Sequence, residues 1–286
     1  MPAHVRRPRT INRIGLYLLD SCRGICESSG MRLVDVHCHL ESEEFTGKLA
    51  GIIEDARRAG VVRLITASIV PEQWDVSAGL AERYPEVEFA LGVHPWYIRP
   101  EYEADLPRLA EARSRGACAI GEIGLDRKSD SAPVDLQCRF FEIQLGIAKD
   151  LGLPVVIHCR GAFDLLLEFV KKVGLSSSGG VVHNFSGSAE LAGQLSRYGL
   201  SFSLGGTLTY RNSRKKREVL AAIYPEHFLL ETDSPDIPPV EVRGRPNVPA
   251  NIRYNLRAAA ETLGEPEERI ADRTTENAVR IFGLEM

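Results

Sequence analysis

The sequence lacks an excess of positive charge and lacks any long apolar run. Its 286 residues carry 35 Lys and Arg against 39 Asp and Glu, which gives a formal net charge of −4 and a pI of about 6.0. Binding of a polyanion through overall charge is therefore excluded, and any such binding needs a local basic patch. No apolar run reaches the roughly 18 residues that a membrane span requires, so we expect no membrane partner.

Cysteine is scarce and shows no spacing typical of a disulfide framework. The six cysteines are Cys22, Cys26, Cys38, Cys118, Cys138 and Cys159. Three of them lie within predicted strands or at their ends, where a small apolar side chain packs well. We therefore expect reduced thiols in a cytoplasmic protein. Cys22 and Cys26 form a CxxxC pair, but no partner cysteines for a metal site lie near them.

Residues 1–30 differ in pattern from the rest of the chain. Their first part is basic, and their only apolar stretch, IGLYLL at 14–19, is shorter than a signal-peptide core and precedes no small-residue cleavage site. The first strand pattern begins immediately after Met31. We expect residues 1–30 to be a loosely attached extension or to lie upstream of the true start, and residues 31–286 to form one hydrolase domain.

From Met31 onward, near-continuous apolar runs alternate with helical patterns. Such runs are typical of parallel strands that are buried on both faces. The predicted strands cover 33–38, 61–67, 87–93, 117–122, 154–158, 180–184, 199–204 and 227–232. Eight strand–helix pairs in about 250 residues predict an α/β fold, the (β/α)8 TIM barrel. An open dinucleotide-binding sheet is disfavoured because no GxGxxG follows the first strand.

Helical patterns fill the intervals between these strands. They cover 47–59, 71–83, 103–114, 135–151, 161–173, 188–198, 212–222, 248–263 and 266–282. Gly60, Gly152, Gly199 and Gly264 lie where these helices are expected to end. A barrel of this kind builds its active site at the carboxyl ends of the strands.

Two histidines follow the first strand at alternate positions. In Asp35-Val-His37-Cys-His39, residues 37 and 39 point to the same side of an extended chain. Two imidazoles at the rim of a barrel need partners for their nitrogens, and a metal ion supplies them. Asp35 shares their parity and is predicted to lie one layer deeper, where it orients the metal-binding histidines. The alternative is a pair of solvated histidines at the start of a loop.

Residue types that bind metals also end later strands. Glu122 ends the fourth strand, His158 the fifth, His183 the sixth and Asp233 the eighth. A carboxylate such as Glu122 can bridge two cations, and Asp233 is the candidate general base or the residue that orients the attacking water. A lone histidine after an apolar run is more often a packed core residue, but two of them on adjacent strands favour ligation.

His94 ends the third strand and precedes Pro95 and Trp96. We expect it to contact substrate or support a ligand rather than bind a metal. Some binuclear barrel hydrolases bridge their metals with a lysine of the fourth strand, which here ends in Glu122. Thiolates are missing from the candidate set, which disfavours a structural Cys/His zinc site.

The motifs match a known family. The chain resembles the TatD family of metal-dependent deoxyribonucleases from Met31 almost to its C-terminus, in VDVHCHL (34–40), LGVHPW (91–96), GEIGLD (121–126), PVVIHCR (154–160), VVHNFSG (181–187) and ETDSP (231–235). The resemblance implies one divalent metal ion among His37, His39, Glu122 and Asp233, and a second among Glu122, His158 and His183. Arg127 and Tyr210 depart from the family pattern, and we expect them to alter substrate contacts only.

A basic segment at 211–217 follows the seventh strand. It supplies a local patch for an acidic substrate, although a solvated helix start explains it equally well. We expect Arg211 and Arg214 of this segment, together with Arg160, His94 and Tyr210, to contact the substrate.

The resemblance implies a metal-dependent hydrolase that cleaves phosphodiester bonds of DNA, by exonuclease action, with a water that two metal ions activate. RNA is a further possible substrate. The alternatives are an ester hydrolase, for example one that removes D-amino acids from tRNA, and a metal-bound scaffold without activity. The scaffold is least favoured because all six ligand positions are filled. Mg²⁺, Mn²⁺ and Zn²⁺ all remain candidates, and we expect a monomer.

Overall fold

The computed structural model describes residues 30–286, so the predicted extension up to residue 29 and the Cys22–Cys26 pair lie outside the described residues. Eight parallel strands form one sheet in sequence order, a nearly closed barrel. The strands are β1 Leu33–Cys38, β2 Val61–Ala67, β3 Val87–Leu91, β4 Ala119–Asp126, β5 Val155–Arg160, β6 Gly180–Val182, β7 Leu200–Leu204 and β8 Phe228–Leu230. The predicted TIM barrel is confirmed.

Helices surround the sheet as the apolar periodicity indicates. They are α1 Leu49–Arg58, α2 Trp74–Arg83, α3 Val134–Leu151, α4 Phe163–Val173, α5 Ala189–Ser196, α6 Arg214–Ile223, α7 Ile252–Leu263 and α8 Glu267–Phe282. Gly152 and Gly264 end α3 and α7 in the left-handed conformation, at φ 68° and 66°. A residue with a side chain is strained at such a φ, so glycine ends these helices without that cost.

One predicted helix is wrong. The segment predicted as a helix over 103–114 forms two short 3-10 helices, Pro100–Ala104 and Leu106–Glu111. Pro107 lies in the middle of the predicted span. Proline has no N–H to donate, and its ring conflicts with the carbonyl four residues earlier. A continuous α-helix through this position is therefore disfavoured, and β3 connects to β4 by tighter turns.

The seam between the first and last strands lies at the carboxyl end of the barrel. The main-chain N–H of Asp233 donates to the carbonyl of His37 over 2.9 Å, and the N–H of His39 donates to the carbonyl of Ser234 over 2.8 Å. Below them, Thr232 donates its N–H to Asp35 Oδ1 over 2.8 Å. The chain segments that close the barrel are therefore the same segments that carry predicted metal ligands.

Small apolar side chains fill the barrel below this polar end. They come from alternate strand positions and include Val34, Ile65, Ala67, Ala90, Ala119, Val156, Val181 and Leu229. Ile281, Phe282 and Leu284, at the end of the chain, pack against the same cluster. Asn277 of α8 donates to the carbonyls of Pro225 and Phe228, at the start of β8. The C-terminal segment therefore covers the amino end of the barrel, opposite the predicted site.

Two further findings concern cysteines and membranes. All four cysteines within residues 30–286 are free, as predicted. Among the described helices, none is both long enough and apolar enough to cross a bilayer.

We expect Asn277→Ala to lower the free energy of unfolding by about 2–3 kcal/mol, because it removes two hydrogen bonds and leaves two buried carbonyls without a donor. Urea unfolding followed by circular dichroism measures this change. The matched control is Glu276→Ala, on the exposed face of the same helix, which should change stability by no more than about 0.5 kcal/mol. Equal effects of the two substitutions would contradict this role of Asn277.

Candidate metal centre

A cavity of about 930 Å³ opens at the carboxyl ends of the strands. His39, Glu122, His158, His183 and Asp233 line it. His37 completes the predicted set of metal ligands and lies fully buried beside them. The structure thus brings together six side chains that are spread over the whole length of the barrel domain.

Glu122 stands between two groups of histidines. Its Oε2 lies 3.5 Å from His37 Nε2 and 3.6 Å from His39 Nε2. Its Oε1 lies 2.9 Å from His183 Nε2 and 3.4 Å from His158 Nδ1. His94 Nε2 also lies 3.2 Å from Oε1. The two oxygens of this carboxylate therefore face different groups of imidazoles, an arrangement that would suit a ligand shared by two cations.

Asp233 adds a second carboxylate to the first pair. Its Oδ1 lies 3.4 Å from His37 Nε2 and 3.6 Å from His39 Nε2. His37, His39 and Glu122 offer ligand atoms that all lie within 4.8 Å of one another, and so do His37, His183 and Asp233. These spacings suit donors that converge on a shared cation.

The residues fit a metal ion on a further ground. Neither ring nitrogen of His37 has a hydrogen-bond partner, although the side chain is fully buried. A buried polar nitrogen without a partner is costly, and a coordinated cation removes that cost. Imidazoles and carboxylates in one site are the donors that transition metals such as zinc and manganese accept.

In each imidazole ring, the hydrogen bond made by the nitrogen that points away from the carboxylates determines which nitrogen can bind a cation. His39 Nδ1 lies 2.8 Å from the carbonyl of Ala67, so Nδ1 carries the proton and the lone pair of Nε2 faces the carboxylates. His158 Nε2 lies 2.9 Å from Asp126 Oδ2, so its free lone pair is on Nδ1, which faces Glu122. Each ring is therefore oriented with one nitrogen toward the carboxylates, where it can bind a cation once its proton is displaced.

In His94 the nitrogen that points away from the carboxylates accepts a hydrogen bond instead of donating one. Its Nδ1 accepts the main-chain N–H of Trp96 over 3.0 Å. Burial lowers the pKa of His94, so the ring is neutral and carries its proton on Nε2, which lies 3.2 Å from Glu122 Oε1. A protonated nitrogen donates a hydrogen bond and cannot bind a cation. His94, Glu122 and His158 also offer ligand atoms that all lie within 4.8 Å of one another, so the role of His94 in supporting the site or contacting substrate stays a prediction.

Sequence reasoning assigned no role to Asp126, which is buried at the end of β4. Its Oδ2 accepts hydrogen bonds from His158 Nε2 and from the indole N–H of Trp96, over 2.9 and 2.7 Å. Its Oδ1 accepts the main-chain N–H groups of Lys128 and Ser129. Asp126 therefore orients a candidate ligand and an aromatic side chain of the rim together. The sequence contained a signal for this role, because residues 122 and 126 are an even number of positions apart on one strand and so point to the same side.

Glu231 is a second residue that sequence reasoning missed. It is buried two positions before Asp233, with the same strand parity. Its Oε1 accepts the N–H of Asn184 over 2.8 Å, and its Oε2 accepts the hydroxyl of Ser203 over 2.6 Å. Oε2 also lies 3.8 Å from His183 Nδ1. Burial and the charge of Asp233 raise the pKa of Glu231 to about 7.

Asp35 also lies one layer below the ligands, as predicted, but its partners differ from those expected. Its carboxylate accepts the main-chain N–H of His37 over 3.4 Å and both the N–H and the hydroxyl of Thr232. It therefore orients the main chain on both sides of the barrel seam rather than an imidazole ring. Burial raises its pKa to about 7.

Charges in the site compensate one another. Burial opposes protonation of His37, but Glu122 and Asp233 outweigh it and raise its pKa to about 10. Burial likewise opposes ionisation of Glu122, yet the histidines around it hold its pKa well below the usual range. Protons on imidazoles thus balance carboxylate charge, and a cation that binds here displaces them.

Glycines let neighbouring strands approach closely around Glu122. A Cβ at Gly121 would lie 2.6 Å from Cβ of Val156, and one at Gly124 would lie 1.9 Å from the carbonyl oxygen of His158. Gly124 also has a φ of 151°, which side chains disfavour. Close packing of β4 on β5 places Glu122 within reach of His158.

The predicted substrate contacts are divided between the cavity and the outer surface. Arg160 and His94 line the cavity. Tyr210 donates its hydroxyl to the carbonyl of Pro238, and Arg214 pairs with Glu218 over 2.8 Å beside a separate hollow between α6 and α7. Arg211 is exposed and does not line the cavity either.

Helical phase explains this division. The turn at 210–213 leads into α6, which begins at Arg214. Lys216, two residues later, lies on nearly the opposite face of this helix and lines the cavity. A substrate reaches Tyr210, Arg211 and Arg214 only where it extends beyond the cavity.

Comparison with known proteins gives the same assignment as the motifs. The family model described as TatD related DNase matches residues 34–283. An uncharacterised metal-dependent hydrolase of Haemophilus influenzae is 36% identical over 262 residues, which cover 88% of this chain and 100% of that relative. The 3′-5′ ssDNA/RNA exonuclease TatD of a Rahnella strain is 30% identical over 261 residues, which cover 88% of this chain and 98% of that relative.

Solved structures agree with this match. The crystal structure of YjjV, a TatD homologue from Escherichia coli, has a TM-score of 0.85 and 33% identity, and the match covers 90% of this chain and 100% of that one. The phosphotriesterase homology protein of Escherichia coli, at 15% identity and a TM-score of 0.66, shares the fold. The chain therefore belongs to the TatD family and is a metal-dependent hydrolase.

Proposed function

We propose that this protein is a deoxyribonuclease that hydrolyses phosphodiester bonds of DNA with two divalent metal ions that share Glu122. The observation that carries the proposal is the geometry of Glu122, whose two oxygens face different groups of imidazoles. Two cations held by one carboxylate suit displacement at phosphorus, because both the entering and the leaving oxygen need stabilisation. The relative named as a 3′-5′ ssDNA/RNA exonuclease supports this substrate class and exonuclease action.

The side chains of the cavity supply positions for the reacting groups. When bound, the two ions would polarise phosphoryl oxygens and activate the attacking water. Asp233 lines the cavity beside them. Despite burial, the imidazoles of His37 and His39, which lie 3.4 and 3.6 Å from Asp233 Oδ1, lower the pKa of Asp233, so this carboxylate suits an acceptor that orients the water. The Nε2–H of His94 is the donor that a phosphoryl oxygen would meet.

The rim of the cavity suits a nucleic-acid chain. Trp96 and Tyr97 line it with 40% and 44% of their surface exposed, and an exposed aromatic face can stack on a base. Arg160 lines the same cavity with 55% of its side chain exposed, and its guanidinium, although 4.0 Å from the carboxylate of Asp126, is accessible to a phosphate. Stacking and charge together favour a single-stranded end as the substrate.

We expect the wild-type protein to bind two equivalents of Zn²⁺ or Mn²⁺ and to release protons on binding, because the pKa of His37 is about 10 in the metal-free site. Affinity should therefore fall as the pH is lowered. Isothermal titration calorimetry in two buffers of different ionisation enthalpy measures the number of bound ions and the number of protons released. His158→Ala should lose one ion, whereas His227→Ala, at a histidine outside the site, should keep both. A single ion in the wild type would sink the two-metal proposal.

The nuclease activity itself is tested by release of nucleotides from end-labelled single- and double-stranded DNA. RNA and D-aminoacyl-tRNA are assayed beside them with Mg²⁺, Mn²⁺ or Zn²⁺. We expect metal-dependent cleavage of DNA that Glu122→Ala abolishes, because both candidate ion sites lose a shared ligand. The label that is released first gives the polarity. Turnover of the aminoacyl ester without cleavage of DNA would replace this proposal with the ester hydrolase.

His94 provides a separate test of the hydrogen-bond assignment. We expect His94→Asn to keep two bound ions but to lower kcat by about tenfold to hundredfold, because a donor to the phosphoryl oxygen is lost while the ligands remain. Metal content by mass spectrometry and steady-state rates on DNA measure the two quantities. Loss of an ion on this substitution would mean that His94 is a ligand.

A further inference from the structure

Lys216 lies on the wall of the metal cavity, at the third residue of α6. Its side chain is half-buried, and its Nζ donates to the side-chain oxygen and the main-chain carbonyl of Asn184. Asn184 directly follows His183, and its N–H is bound by Glu231. The ammonium group therefore has a fixed place beside the candidate ligands.

Both partners of this ammonium group are neutral. Within residues 30–286, no carboxylate oxygen lies within 4.0 Å of Lys216 Nζ. Glu231 and Asp233 act on it only over a longer distance, and burial lowers the pKa of Lys216 to about 8. An ammonium has three donors and Asn184 takes two of them, so one remains for another acceptor. A partly desolvated cation without a carboxylate in ion-pair contact is unfavourable, and an anionic ligand would relieve this cost.

Arg160, the other basic residue that lines the cavity, differs from Lys216 in its exposure and its contacts. Arg160 is more than half exposed, and its guanidinium lies 4.0 Å from the carboxylate of Asp126. Lys216 thus differs from Arg160 in being both enclosed and without an ion pair. Thr207, which also lines the cavity, donates its hydroxyl to the same Asn184 oxygen over 3.4 Å and limits the motion of this group.

We propose that Lys216 is a specificity-determining residue that binds a second phosphate of the substrate, next to the phosphate that is hydrolysed. This inference rests on the proposed function, because it assumes that the scissile phosphate lies among the candidate metal ligands. The cavity of about 930 Å³ has room for a nucleotide whose two phosphates are separated by one sugar. A substrate with a single phosphate leaves Lys216 without a counter-charge.

The test compares three thymidine dinucleotides with the metal-loaded, full-length protein. One carries only the internal phosphodiester, one adds a 5′-terminal phosphate and one adds a 3′-terminal phosphate. We expect the wild type to prefer one of the phosphorylated forms. Lys216→Met should reduce that preference, as a ratio of kcat/KM values, by about tenfold to hundredfold, which is the range for a charge-assisted hydrogen bond. The change should appear in KM, and Lys216→Arg should restore part of it.

Lys172→Met is the control for the loss of a lysine as such. Lys172 lies on α4, outside the cavity, and pairs with Glu142 over 2.7 Å. This variant should keep the preference of the wild type. If Lys216→Met slows all three dinucleotides by the same factor, or changes none of them, the proposal is overturned.

Equilibrium binding separates this inference from the proposed function. Calorimetric titration uses the same three dinucleotides with a methylene-phosphonate linkage that resists hydrolysis. The gain in affinity from the terminal phosphate should be present in the wild type and Lys172→Met and lost in Lys216→Met. Absence of turnover with an intact affinity difference would count against the nuclease alone. Equal affinities of the wild type for all three dinucleotides would overturn the role of Lys216.

Discussion

The whole site depends on one carboxylate that is surrounded by imidazoles. Glu122 is buried and still ionised, because histidines from several strands approach its two oxygens. Without this negative charge, rings as close as those of His37 and His183, whose centroids lie 4.0 Å apart, would repel one another once protonated. The strands that carry these histidines lie on both sides of β4 around the barrel, so Glu122 meets imidazoles from both directions.

The histidines of the site differ in function because different groups bind the ring nitrogen that points away from the cavity. A carbonyl behind His39, a carboxylate behind His158 and an N–H behind His94 decide which nitrogen of each ring faces the cavity with a lone pair and which with a proton. The groups beneath the ligands thus determine the orientation of each ring and the nitrogen that carries its proton. Asp126 and Glu231 belong to these groups. Asp126 holds the ring of His158 and the loop after β4, and Glu231 binds the main chain of Asn184 and the hydroxyl of Ser203.

Local rules account for the part of this molecule that could be predicted from sequence. The alternation of apolar runs and helical patterns predicts the barrel, and strand parity predicts that His37 and His39 face one way, because both depend only on near neighbours in the chain. The partner of His158 on a different strand, and the phase of α6 that turns Lys216 inward and Arg214 outward, follow from tertiary packing. Pro107 lies within the span that the apolar pattern predicts as a helix, and in the structure it lies in the first turn of the short 3-10 helix Leu106–Glu111.

The seam of the barrel has a consequence for the biosynthesis of the enzyme. His37 and His39 are among the first residues of the barrel to be translated, whereas Asp233, whose N–H binds the carbonyl of His37, is among the last. The donor set therefore cannot assemble while the chain is only partly made. A nascent chain on the ribosome, surrounded by nucleic acid, carries no complete hydrolytic centre until its final strand has joined the first.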